Sequence, residues 1–324
     1  VVAFSGATHD IAADGVYMSE LTTQDQAKYI GWQGAFYNLA KLVATGGLVW
    51  LAGWLYEGFS ADGASSYDAS VGSWTVVLLL LCVTLVALGL YHLRALPSGG
   101  SASEGRSLRD GLSGLKEVVG AFFQKKHIWY YLGFIILYRL GEGFVMKIVP
   151  LFLKADTASG GLGLTNQQIG LYYGTFGAGA FLLGSLLAGY YIAHRGLRRT
   201  LFILCCIFNI PFAVYALLAW LQPQSMWIVG GGIVLEYFGY GFGFVGLTLF
   251  MMQQVAPGRH QMAHYAFASG IMNLSVMLTG AVSGYLSDWL GYSLFFVVVM
   301  LATIPAFVMT RFIPFTYPDG NKTE

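Results

Sequence analysis

The residues of this sequence that could do chemistry are charged side chains set inside long apolar stretches: Asp10, Asp14, Lys41, Arg139, Glu142, Lys147 and Glu236. A charge in a hydrocarbon surrounding costs about 2.5–3.5 kcal/mol on insertion scales, so it persists where it is paired, hydrated or functional. Asp10 and Asp14 are spaced to share one helix face, where two carboxylates in a low-dielectric groove resist ionising together and one can hold a proton. The other reading, a solvated carboxylate at the membrane edge, stays open for both, most of all for Asp14 near the end of its stretch. Arg139 and Glu142 can pair along their own helix, either as a static salt bridge or as a switch that exchanges partners. Lys147 lies near enough to the end of its stretch to snorkel, whereas Lys41 lies deeper. Glu236, within Leu235-Glu236-Tyr237-Phe238, has no basic neighbour one turn away. It must find a partner on another helix, reach water or be protonated. His9 beside Asp10 is either a proton relay or a hydrogen-bonded packing residue. Tyr130, Tyr131, Tyr138, Tyr172, Tyr173, Tyr237 and Tyr240 read first as packing or interface anchors, and second as a platform for a sugar ring.

These residues need membrane-spanning helices to hold them. Of 324 residues, 56% are hydrophobic and 10% charged, against about 25% charged in soluble domains. Nine stretches reach bilayer length: 1–17, 33–54, 72–93, 128–153, 167–192, 199–221, 226–253, 262–287 and 290–314. They predict an all-α, polytopic membrane protein. The longest connection begins Pro97-Ser98-Gly99-Gly100-Ser101 and divides the chain into three stretches and six. Its later part sets Leu108, Leu112, Leu115, Val119 and Phe122 on one helical stripe, with Arg109, Lys116, Lys125 and Lys126 largely off it. That is an interfacial helix. With alternating crossings, Lys28, the linker, Arg195, Arg198, Arg199, Arg259, Arg311 and Lys322 fall on one side. The positive-inside rule makes that side cytoplasmic.

Net charge is +1 and the basic residues are scattered, which leaves no footprint for nucleic acid. Cys82, Cys205 and Cys206 lie inside apolar runs without metal-ligand or redox spacing, so no metal or cofactor is implied. There is no nucleophile elbow, no His-Glu-x-x-His and no Asp-rich loop, and an enzyme is not expected. Glycines gather in two stretches, as Gly170, Gly174, Gly177, Gly179 and Gly184 and as Gly239, Gly241, Gly243 and Gly246. Close helix packing is the expected reason.

Several blocks resemble the muropeptide permeases and acetyl-CoA transporters of the major facilitator superfamily. Tyr138-Arg139-Leu140-Gly141-Glu142 with Pro150-Leu151-Phe152-Leu153 is similar to the family's seventh helix, where a basic and an acidic residue hold the same places. Asp10-Ile11-Ala12-Ala13-Asp14 resembles its acidic fourth helix, and Gly46-Gly47-Leu48 with Trp50-Leu51-Ala52 the fifth. Phe250-Met251-Met252, Tyr265-Ala266, Gly284-Tyr285-Leu286-Ser287-Asp288 and Phe295-Phe296 resemble helices ten to twelve. The loop after helix eight resembles the superfamily's gating motif in Gly189, Gly196, Arg198 and Arg199. It departs at Ala193 and His194, where an Asp-Arg pair is usual.

The resemblance implies a major facilitator fold in which the nine stretches are helices four to twelve, with helices one to three lying upstream in an intact protein roughly 120 residues longer. The domains would be 1–94 (helices 4–6), a cytoplasmic linker at 95–127 and a six-helix bundle at 128–324. The implied activity is proton-coupled import of muropeptide-like amino-sugar peptides across a bacterial inner membrane by a monomeric secondary transporter. The loops after helices 4, 6, 8 and 10 and the C-terminus would be cytoplasmic. Asp10, Asp14, Glu142 and Glu236 would carry protons, while Arg139, Lys41, Lys147, Tyr138 and Tyr237 would hold the solute. The alternatives are a sugar or organic-anion facilitator of the same fold and a sensor that binds solute without moving it.

Overall fold

In the computed structural model, which describes residues 2–97 and 108–318, the regular elements are all helical. Helices α1 (Val2–Glu20), α2 (Thr23–Leu42), α3 (Val49–Ala61), α4 (Ser66–Ala95) and α5 (Leu108–Phe123) lead to the broken pair α6 (Ile128–Tyr138) and α7 (Leu140–Lys154). After them come α8 (Asn166–Ile169), α9 (Gly177–Arg195), α10 (Leu197–Asn209), α11 (Ala213–Leu221), α12 (Met226–Phe250) and α13 (Gln261–Arg311). Wider π-helical turns at Val43–Leu48, Gly170–Phe176 and Met251–Val255 join α2 to α3, join α8 to α9 and extend α12.

Each apolar stretch read from the sequence lies on helix. Five described runs are long and apolar enough to cross a membrane: Ser66–Ala95, Gln167–Arg195, Leu197–Leu221, Met226–Val255 and Gln261–Arg311. The last comprises two helices, because Gly291 takes φ 69° and ψ 162° and breaks the run, a conformation glycine adopts without a Cβ penalty. The stretches 1–17, 33–54 and 128–153 lie outside those five. Asp10 and Asp14 dilute the first, and Arg139 divides the last.

Residues 2–35 and 108–318 form one compact unit and 36–97 another. In the smaller unit α3 and α4 make a hairpin. Ser65 caps α4, its hydroxyl accepting the Asp68 N–H at 3.2 Å and donating to the Asp68 carboxylate at 2.6 Å.

In the larger unit α12 is central: 67% of its apolar window is buried, against 6% for α4. Small residues let its neighbours reach it. A Cβ at Gly184 of α9 would overlap the Phe238 carbonyl, and one at Gly241 would overlap the Phe181 carbonyl. Gly239 and Gly243, one turn apart, admit α10 in the same way, through Ile207 and Phe208. Among the described residues nothing lies within 4 Å of a Cβ added at Gly170, Gly174 or Gly179.

The linker helix α5 meets the bundle at its last turn. Phe122 is buried against His264 and Phe267, but Leu115 is exposed. The side chains of Leu108, Arg109 and Leu112 lie outside the described residues. Lys125, read as lying off the apolar stripe, turns inward. Its Nζ donates to the carbonyls of Val255 (2.5 Å), Ala256 (3.0 Å) and Pro257 (2.8 Å), which the end of the helix leaves without intrahelical donors. Burial pushes the Lys125 ammonium down to about 8. It remains cationic at neutral pH, with three protons for three acceptors. Replacing it by Met removes this cap, and faster amide hydrogen exchange over residues 255–260 is the expected outcome.

Candidate functional site

The chemistry gathers at the break between α6 and α7. Arg139 leaves helical geometry at φ −100° and ψ 7°, and its guanidinium turns back on its own chain. Nε donates to Glu142 Oε2 and Nη2 to Glu142 Oε1, both at 2.5 Å, with side-chain exposures of 7% and 2%. This bidentate fork is the geometry in which Arg binds carboxylate most specifically. The Phe244 ring centroid lies 5.1 Å from Arg139 Cζ, and the Tyr240 phenol faces both partners. A charge pair so enclosed is neutral as a unit and expensive to open without replacing the lost partner.

Facing the pair, α12 carries a second acid. Glu236 is 5% exposed and accepts one bond, from the Tyr215 hydroxyl of α11 at 2.8 Å. Among the described residues no Lys, Arg or His forms an ion pair with Glu236. It lies within electrostatic reach of Glu142. Tyr173 and Tyr237 meet edge to face beside it at 5.0 Å, and Tyr240 continues the aromatic wall 6.4 Å from Tyr237. The arrangement holds two carboxylates, one guanidinium and a wall of phenols: one acid is compensated by a cation, the other by a hydroxyl.

The remaining predicted residues are placed as follows. Tyr138 is completely enclosed and its hydroxyl donates to the Gly243 carbonyl at 2.8 Å, so it ties α6 to α12. Asp10 is exposed while Asp14 is buried, Oδ1 accepting from Gln33 Nε2 of α2 at 2.9 Å. The shared face therefore ends in different surroundings. Lys147 is exposed, its stem lying along Gly280 of α13. The side chain of Lys41 lies outside the described residues. Gly196 takes φ 81° in the one-residue joint between α9 and α10, Gly189 lets α9 approach the Ala27 carbonyl, and Arg198 and Arg199 are exposed.

Sequence reasoning passed over Tyr215, Gln33 and the adjacent Gln253 and Gln254. The amides carried a usable signal, because a glutamine at the edge of an apolar run costs desolvation when it is buried unless something binds it. Tyr215 carried none, since a tyrosine near a helix end reads as an interface anchor.

Residues 136–324 match the Major Facilitator Superfamily. The anhydromuropeptide permease of Escherichia coli (strain K12) is 24% identical over 314 residues, covering 95% of this chain and 58% of that protein. A transporter designated AmpG 2 in Rickettsia typhi is 27% identical over 205 residues, covering 60% of this chain and 46% of the relative. The chain thus spans well under two thirds of the length of either relative.

Proposed function

From the premise that this chain belongs to the Major Facilitator Superfamily and is a multi-pass membrane protein, we propose that it moves a solute across the bacterial inner membrane by alternating access, coupled to protons. The observation that carries the proposal is the closed Arg139–Glu142 fork beside Glu236, an acid with no ion-pair partner among the described residues. A carboxylate of the solute takes the place of Glu142 on Arg139. The released Glu142 would leave an uncompensated buried charge, so it accepts a proton, and the loaded site stays neutral while the helices rearrange. Glu236 is the second acid of the site, charged or neutral according to whether Tyr215 and the solute supply donors to it. The solute class this reading favours is an amino-sugar peptide, which supplies a carboxylate for Arg139 and a ring face for Tyr173 and Tyr237. The similarity to the anhydromuropeptide permease supports the same class. The linker end of the bundle would face the cytoplasm.

The test is uptake of labelled anhydromuropeptide into vesicles under an imposed pH gradient. The unaltered protein should accumulate it only with the gradient, and Glu142→Gln should exchange solute across the membrane yet accumulate none. Uptake that ignores the gradient in both would overturn proton coupling. No uptake of this solute, with gradient-driven uptake of a simple sugar or organic anion, would replace the substrate class.

A further inference from the structure

The π-helical turn Met251–Val255 sets two neighbouring glutamines on different parts of the molecule. Gln254 Oε1 accepts the backbone N–H groups of Thr316 (2.9 Å) and Tyr317 (3.0 Å), and its Nε2 donates to the Tyr317 carbonyl at 3.0 Å. The amide thus pairs with the extended segment after α13 as a neighbouring strand would. Three further contacts hold that segment: the Tyr131 hydroxyl of α6 meets Thr316 Oγ1 at 2.6 Å, Phe250 meets Phe315 edge to face at 5.8 Å, and the Arg198 guanidinium lies 5.9 Å over the Phe315 ring. Residues 313–318 therefore strap together the ends of α6, α10 and α12. Gln253 points elsewhere: its Nε2 donates to the Thr23 carbonyl at the first turn of α2, at 3.2 Å. Lys125 holds the end of the same turn from the linker.

The two sets of contacts differ in how easily they open. Gln254 makes three bonds, the strap is tied to three helices, and both glutamine side chains are almost fully enclosed. Gln253 makes one long bond to the first turn of α2, a helix that also meets the bundle along α9, where Ala27 and Gly31 face Gly189 and Ser185. A single bond opens more readily than three around one enclosed amide, because all three must be lost together. We propose that this turn is a two-sided latch: Gln254 and the strap keep α6, α10 and α12 moving as one body, and Gln253 holds α2 against that body by a contact made to be released. An extra residue in the turn is what this needs, because π-helical turns widen the helix and redirect side chains that a regular turn would place one above another. Release of α2 is useful to the protein only if the alternating-access reading above holds. The strap does not depend on it.

The experiment uses Gln253→Ala and Gln254→Ala in lipid nanodiscs, with Gln253→Asn as a milder variant that keeps the amide one methylene short. Spin labels at Lys28 and Arg195, both exposed, report the separation of α2 from α9, and amide hydrogen exchange reports the strap. Gln253→Ala and Gln253→Asn should at least double the population at the longer label distance and leave exchange at 313–318 unchanged. Gln254→Ala should speed exchange at 313–318 tenfold or more and leave the label distances of the unaltered protein. Equal effects of the two substitutions on both readouts, or an unchanged distance distribution in both Gln253 variants, overturns the latch. Neither readout involves solute, so a protein that passes here and fails the uptake test has the latch without the proposed transport.

Discussion

Arg139→Leu is expected to lower the unfolding free energy by about 3–5 kcal/mol, because it leaves the Glu142 carboxylate, 2% exposed, without its guanidinium. The companion result is the informative one. Arg139→Leu combined with Glu142→Leu removes both charges and fills the volume with apolar atoms, and should recover most of the loss, since an apolar replacement of a buried pair is often neutral. Thermal and denaturant unfolding in detergent, followed by tryptophan fluorescence, measures both. Uptake separates structure from function: the double variant should be folded and unable to accumulate solute. A single variant that costs under about 1 kcal/mol would show that the fold does not depend on the fork, and a double variant that transports normally would remove it from the transport path.

The second large effect is steric. At Gly184 and Gly241 the facing groups are the backbone carbonyls of Phe238 and Phe181, which cannot swing aside as a side chain can. Gly184→Val or Gly241→Val has to push α9 and α12 apart along their contact, and overpacking of this kind costs about 1–3 kcal/mol per site. The two substitutions together should lose less than the sum, because the first has already separated the helices. Gly179→Ala is the internal control. It lies on the same helix with nothing within 4 Å of the added carbon, and it should be neutral or stabilising by up to about 1 kcal/mol through helix propensity. Apparent melting temperatures of the four variants in one detergent decide the matter. Equal losses at 179 and 184 would mean that the glycines serve flexibility and that the close approach is unimportant.

The same contrast shows why part of the site could be read in advance. Arg139 and Glu142 are three residues apart, so their pairing is a local property of the chain and was visible as such, although Arg139 itself sits at the helix break. The bond from Tyr215 to Glu236 spans 21 residues and a turn between two helices, and that from Gln254 to Tyr317 spans 63. No spacing rule reaches that far. Asp10 and Asp14 make the point in reverse: their spacing placed them on one face, and only the neighbouring helices leave one carboxylate exposed while giving the other Gln33. Lys125 was read as lying off the apolar stripe of the linker helix, and turns inward because the last carbonyls of a helix 130 residues away lack intrahelical donors.

By itself the sequence determined the all-helical class, where the apolar stretches lie, which charged residues lie among them and that Arg139 and Glu142 are spaced to pair. Each of these follows from the length of an apolar run or from contacts within one turn of helix, where burial of the backbone and a fixed rise per residue leave little choice. Tertiary structure decided which acid has a cation and which has a phenol, which glycines bear contacts, and how one widened turn came to hold the linker, α2 and the closing segment together. Those outcomes depend on which helices become neighbours, and neighbourhood is settled by the packing of whole surfaces, a quantity that no local pattern in the chain encodes.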